Sequence, residues 1–360
     1  MKFLDLFAGI GGFRLGMESA GHECVGFCEI DKFARASYKA IHNTKGEIEL
    51  HDITAVSDEF IRGIGRVDII CGGFPCQAFS IAGNRRGFED TRGTLFFEIA
   101  RFASILRPQY LFLENVKGLL NHENGITFET IISTLDELGY DVEWQVLNSK
   151  DFGVPQNLER VFIIGHFRGE CTRRIFPLSG QSQSISNKSV VKIGNVNPSG
   201  NGMNGEVYQA DGLAPTLTTN KGEGQKIAIK SNTIKQFGVL QPNFNQCGVV
   251  YETDGIAPTI RAYQGGGLEP KIIQRGHGYN QGGVHEIAPT LTSNSYHENN
   301  HLSFGYRIRK LTPRECWRLQ GFPDWAFDKA QEVNSNSQLY KQAGNSVTVN
   351  VIAAIAKELE

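Results

Sequence analysis

The chain has 360 residues, enough for two domains or for one large domain with a substantial insertion. Its hydrophobic content of 40% and charged content of 21% are ordinary for a globular enzyme, and the absence of any run of 18 apolar residues argues against a membrane partner. A formal net charge of −2 does not by itself favour a nucleic-acid partner, because such partners usually select a basic surface.

The N-terminal part of the chain alternates short apolar runs with amphipathic stretches. The predicted strands are Phe3–Phe7, Cys24–Cys28, Val67–Cys71, Tyr110–Leu113, Glu143–Asn148 and Val161–Gly165. The predicted helices between them are Phe13–Ala20, Lys32–His42, Leu95–Leu106 and Thr127–Leu138. This alternation predicts an α/β fold with a mainly parallel sheet and helices on both faces. Such a sheet binds ligands at the carboxyl ends of its strands.

The composition changes from about Cys171 onward. Gly, Ser, Asn and Gln dominate to about His301, which predicts a smaller domain that is mostly β or irregular. This stretch contains an irregularly spaced repeat, so it is not a solenoid; its copies are Gly212–Thr218, Gly255–Ile260 and Glu286–Thr292. Helical periodicity returns at Thr312–Gln320 and Val347–Leu359. We therefore expect a first domain over 1–172, a second over 173–303, a hinge or return segment over 304–345, and a final helix over 346–360 that completes the first domain.

The cysteines are odd in number and scattered, which gives neither a disulfide framework nor a zinc-site pattern. They are Cys24, Cys28, Cys71, Cys76, Cys171, Cys247 and Cys316. We expect a reduced, cytoplasmic enzyme without a metal, in which most of these thiols are buried and inert.

Three features of the first strands predict a nucleotide-like cofactor. The segment Asp5–Gly12 is glycine-rich and opens a helix, so that its backbone can approach a ligand. Glu29 closes the second strand, where an acid can bind ribose hydroxyls, and Asp52 could accept from an adenine amino group. These features alone describe a nicotinamide oxidoreductase equally well.

The segment Gly72–Ser80 discriminates between these classes. Pro75 fixes the backbone before Cys76 at the carboxyl end of an apolar strand, where a thiol is poised to act as a nucleophile. Glu114 ends the next strand, so an acid and a thiol are expected in one cleft. A nicotinamide oxidoreductase has no use for this pair.

Together these segments resemble the DNA cytosine-5 methyltransferases of the restriction–modification type over nearly the whole chain. The similar segments are Asp5–Gly12, Phe74–Ser80, Glu114–Val116, Gln156–Arg160, Arg309–Cys316 and Gln342–Val347. The resemblance implies an S-adenosylmethionine-dependent fold of Rossmann-like type. It also implies a bacterial or phage-encoded enzyme that acts as a monomer on double-stranded DNA, with a cognate restriction endonuclease left open.

The resemblance also implies roles for individual residues. The catalytic residues are Cys76 as the nucleophile that attacks C6 of a flipped cytosine, Glu114 at the N3 edge and Arg160 beside the base. The S-adenosylmethionine pocket is expected from Phe7, Gly9, Ile10, Gly11, Glu29, Ile30, Asp52, Ile53, Pro75, Leu95, Asn345 and Ser346.

DNA contacts are expected from two regions. The first is the loop Ser80–Thr94, which resembles the family's mobile loop, and the second is a target-recognition segment over Glu206–His301, with the three repeats as its scaffold. The contact residues are expected to be Gln77, Ser80, Arg85, Arg86, Gln246, Thr259, Arg261 and Tyr263. An RNA (tRNA) cytosine-5 methyltransferase is the alternative, since it shares the loop and the thiol, but the long insertion favours duplex DNA.

One position departs from the family pattern. Leu158 stands where the first arginine of the Gln-x-Arg-x-Arg segment usually lies, while Arg160 keeps the second. We expect a neighbouring cation, Lys150 or Arg86, to compensate for the missing arginine, so that arginine at 158 would change activity only on the scale of an exposed ion pair.

Overall fold

A computed structural model of the chain describes residues 1–75, 95–170, 172–180, 189–195, 206–210, 212–217, 226–230, 236–239, 249–251, 272–274, 283–285, 300–301 and 306–359. Contacts divide the chain into two compact units. Unit 1 comprises Met1–Val190, Gly212–Gly224 and Thr312–Glu360, and unit 2 comprises Val191–Asp211 and Gln225–Leu311.

Unit 1 is built on a seven-stranded sheet. Its strands are β1 (Lys2–Leu6), β2 (Glu23–Cys28), β3 (Ile48–Leu50), β4 (Ile69–Gly73), β5 (Tyr110–Val116), β6 (Tyr140–Asn148) and β7 (Glu159–Phe167). Their order in the sheet is β3-β2-β1-β4-β5-β7-β6. The first five strands are parallel, whereas β7 runs antiparallel to both β5 and β6. The expected mainly parallel α/β fold is confirmed.

The helices of unit 1 are α1 (Gly12–Ser19), α2 (Lys32–Ile41), α3 (Asp58–Gly63), α4 (Leu95–Leu106), α5 (Ile126–Glu137), α6 (Pro313–Leu319), α7 (Asp324–Gln331), α8 (Asn336–Asn345) and α9 (Val349–Ala356). Local sequence fixes several of their starts. The Asp31 side chain accepts from the backbone N–H groups of the first turn of α2, and Thr312 with Glu315 forms a capping box on α6. In the part of the chain that the structure describes, no helix is long and apolar enough to span a bilayer.

The sheet carries an apolar layer on each face. In β1 the buried side chains alternate, so that Leu4 and Leu6 pack with the α4 side of the core, whereas Phe3 packs with α1 and α9 on the other. Full burial of one such side chain contributes about 1.5–3 kcal/mol. Helix α9 packs closely on α1, because Gly16 has no side chain and a Cβ there would lie 2.6 Å from the side chain of Ile352.

The predicted strands and helices of the N-terminal part all occur, with ends that differ by a few residues. Sequence analysis missed β3, α3, α7 and α8, which are short or weakly patterned, and it did not anticipate that β7 lies antiparallel between β5 and β6. A β6–β7 hairpin joined by the short segment between Asn148 and Glu159 explains that direction, since a parallel pair needs a longer crossover.

The described part of unit 2 consists of short strands. They are β8 (Lys192–Asn195), β9 (Glu206–Gln209), β10 (Lys226–Lys230), β11 (Gln236–Val239), β12 (Val249–Tyr251), β13 (Ile272–Gln274), β14 (Gly283–His285), β15 (Asn300–His301) and β16 (Tyr306–Lys310). They form a four-stranded sheet in the order β16-β10-β9-β8, a pair β11-β12 and a three-stranded sheet β14-β13-β15.

Candidate active site

A cavity of about 460 Å³ lies at the carboxyl ends of the parallel strands of unit 1. Such ends meet at one edge of the sheet, which is where open α/β folds bind ligands. The cavity is lined by Phe7, Gly9, Ile10, Cys28, Glu29, Ile30, Asp31, Ala34, His51, Asp52, Ile53, Gly73, Phe74, Pro75, Leu95, Glu114, Asn115, Val116, Arg160, Lys341, Gln342, Gly344, Asn345 and Ser346.

The Glu29 carboxylate is held by backbone donors on both oxygens. Its Oε2 accepts from Gly9 N–H at 2.8 Å and its Oε1 accepts from Asp31 N–H at 2.7 Å. The guanidinium of Arg35 also donates to the carbonyl oxygens of Glu29 and Ile30 at 2.7 and 2.8 Å. Each Glu29 oxygen keeps a second lone pair, so the group remains an acceptor for a ligand.

Asp52 is a second fixed acceptor. Its Oδ1 accepts from the backbone N–H of Thr54 at 3.0 Å and from the Thr54 hydroxyl at 2.7 Å, and these hydrogen bonds lower the pKa of Asp52. Beside it in the cavity wall is Ile30, whose side chain is 69% exposed and so presents an apolar surface to the opening.

An ion pair joins two parts of the wall that are distant in sequence. Lys341 Nζ on α8 lies 2.6 Å from Asp31 Oδ2 at the start of α2. Helix α8 is also held to α2 by Gln342, whose side chain accepts from Ser37 Oγ at 2.9 Å and donates to the Phe33 carbonyl at 3.1 Å.

The glycine-rich loop has two unusual backbone positions. Phe7 has a φ of 56°, which is rare for a residue with a side chain, and it lies in the cavity wall. Gly11 has a φ of 86°, and a Cβ at this position would lie 2.1 Å from Nε2 of His42. The His42 ring is buried there, and burial, with the nearby Arg14 charge, lowers its pKa to about 3.

The other end of the cavity contains a buried carboxyl group that is paired with a guanidinium group. Glu114 on β5 pairs in register with Gly73 on β4, and Arg160 at the start of β7 lies opposite Val116. Arg160 Nε is 2.8 Å from Glu114 Oε1. Burial raises the pKa of Glu114, and the Arg160 charge offsets only part of that rise. Gly73 provides the room, because a Cβ there would lie 2.9 Å from Glu114 Oε2.

Asn115 connects this end to the segment before the predicted nucleophile. Its buried Nδ2 donates to the Phe74 carbonyl at 2.9 Å, and its Oδ1 accepts from the Val116 N–H at 2.8 Å. The carbonyl of Phe74 is therefore fixed to β5, and Pro75 follows it in the cavity wall. Cys76 itself lies outside the described residues.

The described cysteines are poor candidates for a nucleophile. Cys24, Cys28, Cys71 and Cys316 are buried. Burial raises the pKa of Cys24, Cys28 and Cys316 to about 12 and that of Cys71 well above its ordinary value, so these thiols are not ionised near neutral pH. The expectation that most of the thiols are buried and inert is confirmed for these four.

The cavity brings together Glu114, Arg160 and all the predicted cofactor residues except Gly11. Gly11 instead makes room for His42 behind the loop. The predicted DNA contacts Gln77, Ser80, Arg85, Arg86, Gln246, Thr259, Arg261 and Tyr263 lie outside the described residues. Sequence analysis missed the contributions of Cys28, Asp31, Ala34, His51, Gly73, Phe74, Asn115, Val116, Lys341, Gln342 and Gly344. Some of these had a signal, since Asp31 is an N-cap residue two positions after the acid Glu29.

Leu158 is buried, with 2% of its surface exposed. This burial contradicts the exposed setting on which the expected modest effect of arginine rested, because a guanidinium there would need a buried partner; the effect on activity itself stays a prediction. Of the two expected compensating cations, Lys150 lines a different cavity from the one that contains Arg160, and Arg86 lies outside the described residues.

The first repeat of the sequence is attached to the segment that leads to Arg160. Ala214 N–H donates to the Pro155 carbonyl at 2.8 Å, and Asn157 N–H donates to the Ala214 carbonyl at 2.8 Å. The Thr216 hydroxyl donates to the Asn157 carbonyl at 3.0 Å. The second and third repeats lie outside the described residues.

Comparison with known proteins gives consistent matches. The family of C-5 cytosine-specific DNA methylases matches residues 1–360. The chain is 36% identical to the orphan methyltransferase M.SPRI of Bacillus phage SPR, covering 100% of this chain and 97% of that protein. It is 37% identical to the type II methyltransferase M.HhaI of Haemophilus parahaemolyticus, covering 99% and 93% respectively. Among solved structures, Dnmt2 of Spodoptera frugiperda has a TM-score of 0.58 at 19% identity over 99% of this chain and 98% of that one, which shows a shared fold.

Proposed function

Because the chain belongs to the C-5 cytosine-specific DNA methylase family, we propose that it flips a cytosine out of duplex DNA and attacks C6 of that base with Cys76. The chain is a DNA (cytosine-5) methyltransferase of the restriction–modification type. The observation that carries the proposal is the pair of buried Glu114 and half-buried Arg160, which shares one cavity with Pro75, the residue before Cys76.

The cofactor end of the cavity, defined by Glu29, Ile30 and Asp52, fits S-adenosylmethionine. The volume of the whole cavity lies within the range of about 300–1,000 Å³ that is usual for small-ligand sites. Glu29 suits the ribose hydroxyls, because both of its oxygens are fixed and still able to accept. Asp52 suits an amino donor of the adenine, and Ile30 suits its flat apolar face. When bound, S-adenosylmethionine supplies the methyl group that C5 of the cytosine accepts.

The base end, defined by Glu114 and Arg160, activates the ring. The Cys76 thiolate forms a bond to C6, and the electron pair of the C5–C6 double bond moves toward C5. Glu114 holds a proton more readily than an exposed glutamate because burial raises its pKa, so it can donate to N3 as that electron density builds. Arg160 fixes the orientation of Glu114 through its Nε. After methylation, loss of the C5 proton returns an electron pair to the ring and expels Cys76.

DNA recognition belongs to the second part of this proposal. We assign target reading to the region 173–303, and within it to the segment Glu206–His301, and we assign a hinge or return role to 304–345. Gln77, Ser80, Arg85, Arg86, Gln246, Thr259, Arg261 and Tyr263 remain the proposed DNA contacts. Transplanting Glu206–His301 into a relative of known specificity should move methylation to this protein's DNA word; an active chimera that still modifies the host's word would place recognition elsewhere.

Replacing the proposed nucleophile tests the covalent step. Cys76→Ser should abolish methyl transfer and still bind S-adenosylmethionine, since a hydroxyl is too weakly acidic to add to C6. DNA with 5-fluorocytosine at the target should form a lasting adduct with the wild type, because fluorine cannot leave as a proton does. Peptide mapping should place the adduct on Cys76. An adduct that persists in Cys76→Ser, or that maps to Cys171 or Cys247, would overturn the assignment.

A further inference from the structure

A chain of buried hydrogen bonds runs behind the cavity through Ser149, Thr348 and Gln320, whose side chains are 2%, 3% and 1% exposed. Ser149 Oγ lies 2.8 Å from Thr348 Oγ1, and Thr348 Oγ1 donates to Gln320 Oε1 at 3.0 Å. Gln320 Nε2 then donates to the Ala343 carbonyl at 3.0 Å. None of these three side chains lines the cavity or takes part in the proposed chemistry.

The hydrogen bonds that link Ser149, Thr348 and Gln320 all run in one direction. A threonine hydroxyl has a single proton, and that of Thr348 points to Gln320, so the single proton of Ser149 is shared between Thr348 Oγ1 at 2.8 Å and the Leu158 carbonyl oxygen at 3.3 Å. The amide of Gln320 accepts through its oxygen and donates through its nitrogen. Every side-chain group thus has a partner, and such aligned bonds strengthen one another inside a protein.

The two ends of the chain reach two parts of the cavity wall. Ser149 N–H donates to the Leu158 carbonyl at 2.9 Å, two residues before Arg160 of the base end. At the other end, Ala343 directly precedes Gly344, Asn345 and Ser346, which line the cavity. The backbone bond from Val349 N–H to the Gln320 carbonyl, at 2.9 Å, closes the loop around these wall residues.

We propose that Thr348 is a positioning residue that holds the wall Gly344–Ser346 and the Arg160 segment in one alignment. The inference rests on the proposed cofactor end of the cavity. Thr348 joins two elements that are distant in the sequence, since it bonds Ser149 on one side and Gln320 on the other. Losing its hydroxyl would release the wall from the segment that carries the base-holding arginine.

Thr348→Val is the first test, because valine keeps the shape and removes the hydroxyl. We expect the Kd for S-adenosylhomocysteine, measured by calorimetry, to rise about fivefold to tenfold, the factor that one net hydrogen bond represents. The rate of adduct formation with 5-fluorocytosine DNA should fall as well, at saturating cofactor. Thr348→Ser, which keeps the hydroxyl, should bind within about twofold of the wild type. An unchanged Kd in Thr348→Val, or an equal loss in Thr348→Ser, overturns the proposal.

A triple variant separates positioning from stability. Ser149→Ala, Thr348→Val and Gln320→Met together remove every polar side-chain atom of the chain, so that the Ala343 carbonyl is the one group of the chain that loses its donor. The melting temperature should be lowest in Thr348→Val and should recover in large part in the triple variant. A positioning role requires the Kd to stay raised despite that recovery. If the Kd recovers together with the melting temperature, the chain is only structural and the proposal fails.

Two controls complete the design. Thr134→Val removes a buried hydroxyl that bonds to the Thr130 carbonyl within α5, away from the cavity, and should leave the Kd unchanged. Glu29→Gln tests the cofactor assignment independently. If Glu29→Gln leaves the Kd unchanged, the proposed cofactor end is wrong; if it raises the Kd while Thr348→Val does not, only the positioning role is wrong.

Discussion

The two glutamates of the cavity show how surroundings decide what a carboxyl group can do. Glu29 at the cofactor end accepts a backbone N–H on each oxygen, so it is a fixed acceptor. Glu114 at the base end is buried, has the guanidinium of Arg160 on one oxygen, and has a raised pKa. Backbone donors favour an acceptor for ribose, whereas burial favours a group that can hold a proton. The same residue type is thus suited to binding at one end and to proton transfer at the other.

The variant Glu114→Gln is the strongest test of the difference between the two glutamates. The variant keeps the shape and loses the transferable proton, so we expect the rate of methylation to fall by about 10²–10⁴, the usual range for a general acid or base. The Kd for S-adenosylhomocysteine should stay within about twofold. Glu143→Gln is the matched control, because Glu143 is also a glutamate with little of its side chain exposed, 10%, and is paired with His166 at 2.9 Å but outside the cavity. Equal losses of DNA affinity and rate would instead make Glu114 structural.

The protonation of His42 and that of Glu114 should change the stability of the fold in opposite directions as the pH changes. The folded pKa of His42, behind the glycine loop, is about 3 and lies below the ordinary 6.5, so its contribution to stability is full above pH 6.5 and is lost as the pH falls toward 3. At pH 4 the stability lost through protonation of His42 in the unfolded chain amounts to about 3 kcal/mol. Glu114 has a raised pKa, so its contribution is full below about pH 4.5 and is lost as the pH rises through the folded value.

Urea unfolding at pH 4 and pH 8 measures how the free energy of unfolding depends on pH for each of these groups. Relative to the wild type, His42→Gln should gain stability on going from pH 8 to pH 4, and Glu114→Gln should gain it in the opposite direction. Parallel pH curves for wild type and His42→Gln would mean that the imidazole is not held neutral.

At the cofactor end we expect Glu29→Gln to raise the Kd for S-adenosylmethionine by about 10- to 100-fold, the scale of one hydrogen bond to a charged group. The rate at saturating cofactor should change little, which distinguishes this variant from Glu114→Gln. Glu23→Gln, exposed at the opposite end of the same strand, should behave as wild type. A large fall in the rate of methylation at saturating cofactor would show that Glu29 affects the chemical step as well as cofactor binding.

The smallest effect is expected from the ion pair across the wall. Lys341→Met removes the contact with Asp31, and because both side chains are partly exposed we expect only a twofold to fivefold rise in the Kd, with a weaker dependence on salt. Lys39→Met is the control, since the Lys39–Glu49 pair is similarly short and similarly exposed but does not line the cavity. A Kd that is unchanged at low salt would show that the Lys341–Asp31 pair does not contribute to cofactor binding.

Sequence reasoning succeeded where a motif coincides with the end of a strand. Glu29 and Glu114 could be predicted because each closes an apolar run, and parallel strand ends meet at one edge of the sheet. Lys341 could not, because α8 has a weak apolar pattern and Lys341 is held in the wall by its contact with Asp31 at the start of α2. The burial of Leu158 was missed for a related reason: a comparison of motifs gives the residue type at a position but not the space around its side chain.

The packing of α9 on α1 has a consequence for synthesis of the protein. Gly9 and Ser346 line the same cavity, although 337 positions separate them in the sequence. At about 5–20 residues per second, the ribosome needs roughly 20–70 s to pass from one to the other. During that time the face of β1 and α1 that later contacts Ile352 has no cover. An apolar surface of the nascent chain therefore stays exposed until α9 has been made, and the cavity acquires the wall residues Gly344–Ser346 only when the segment before α9 docks.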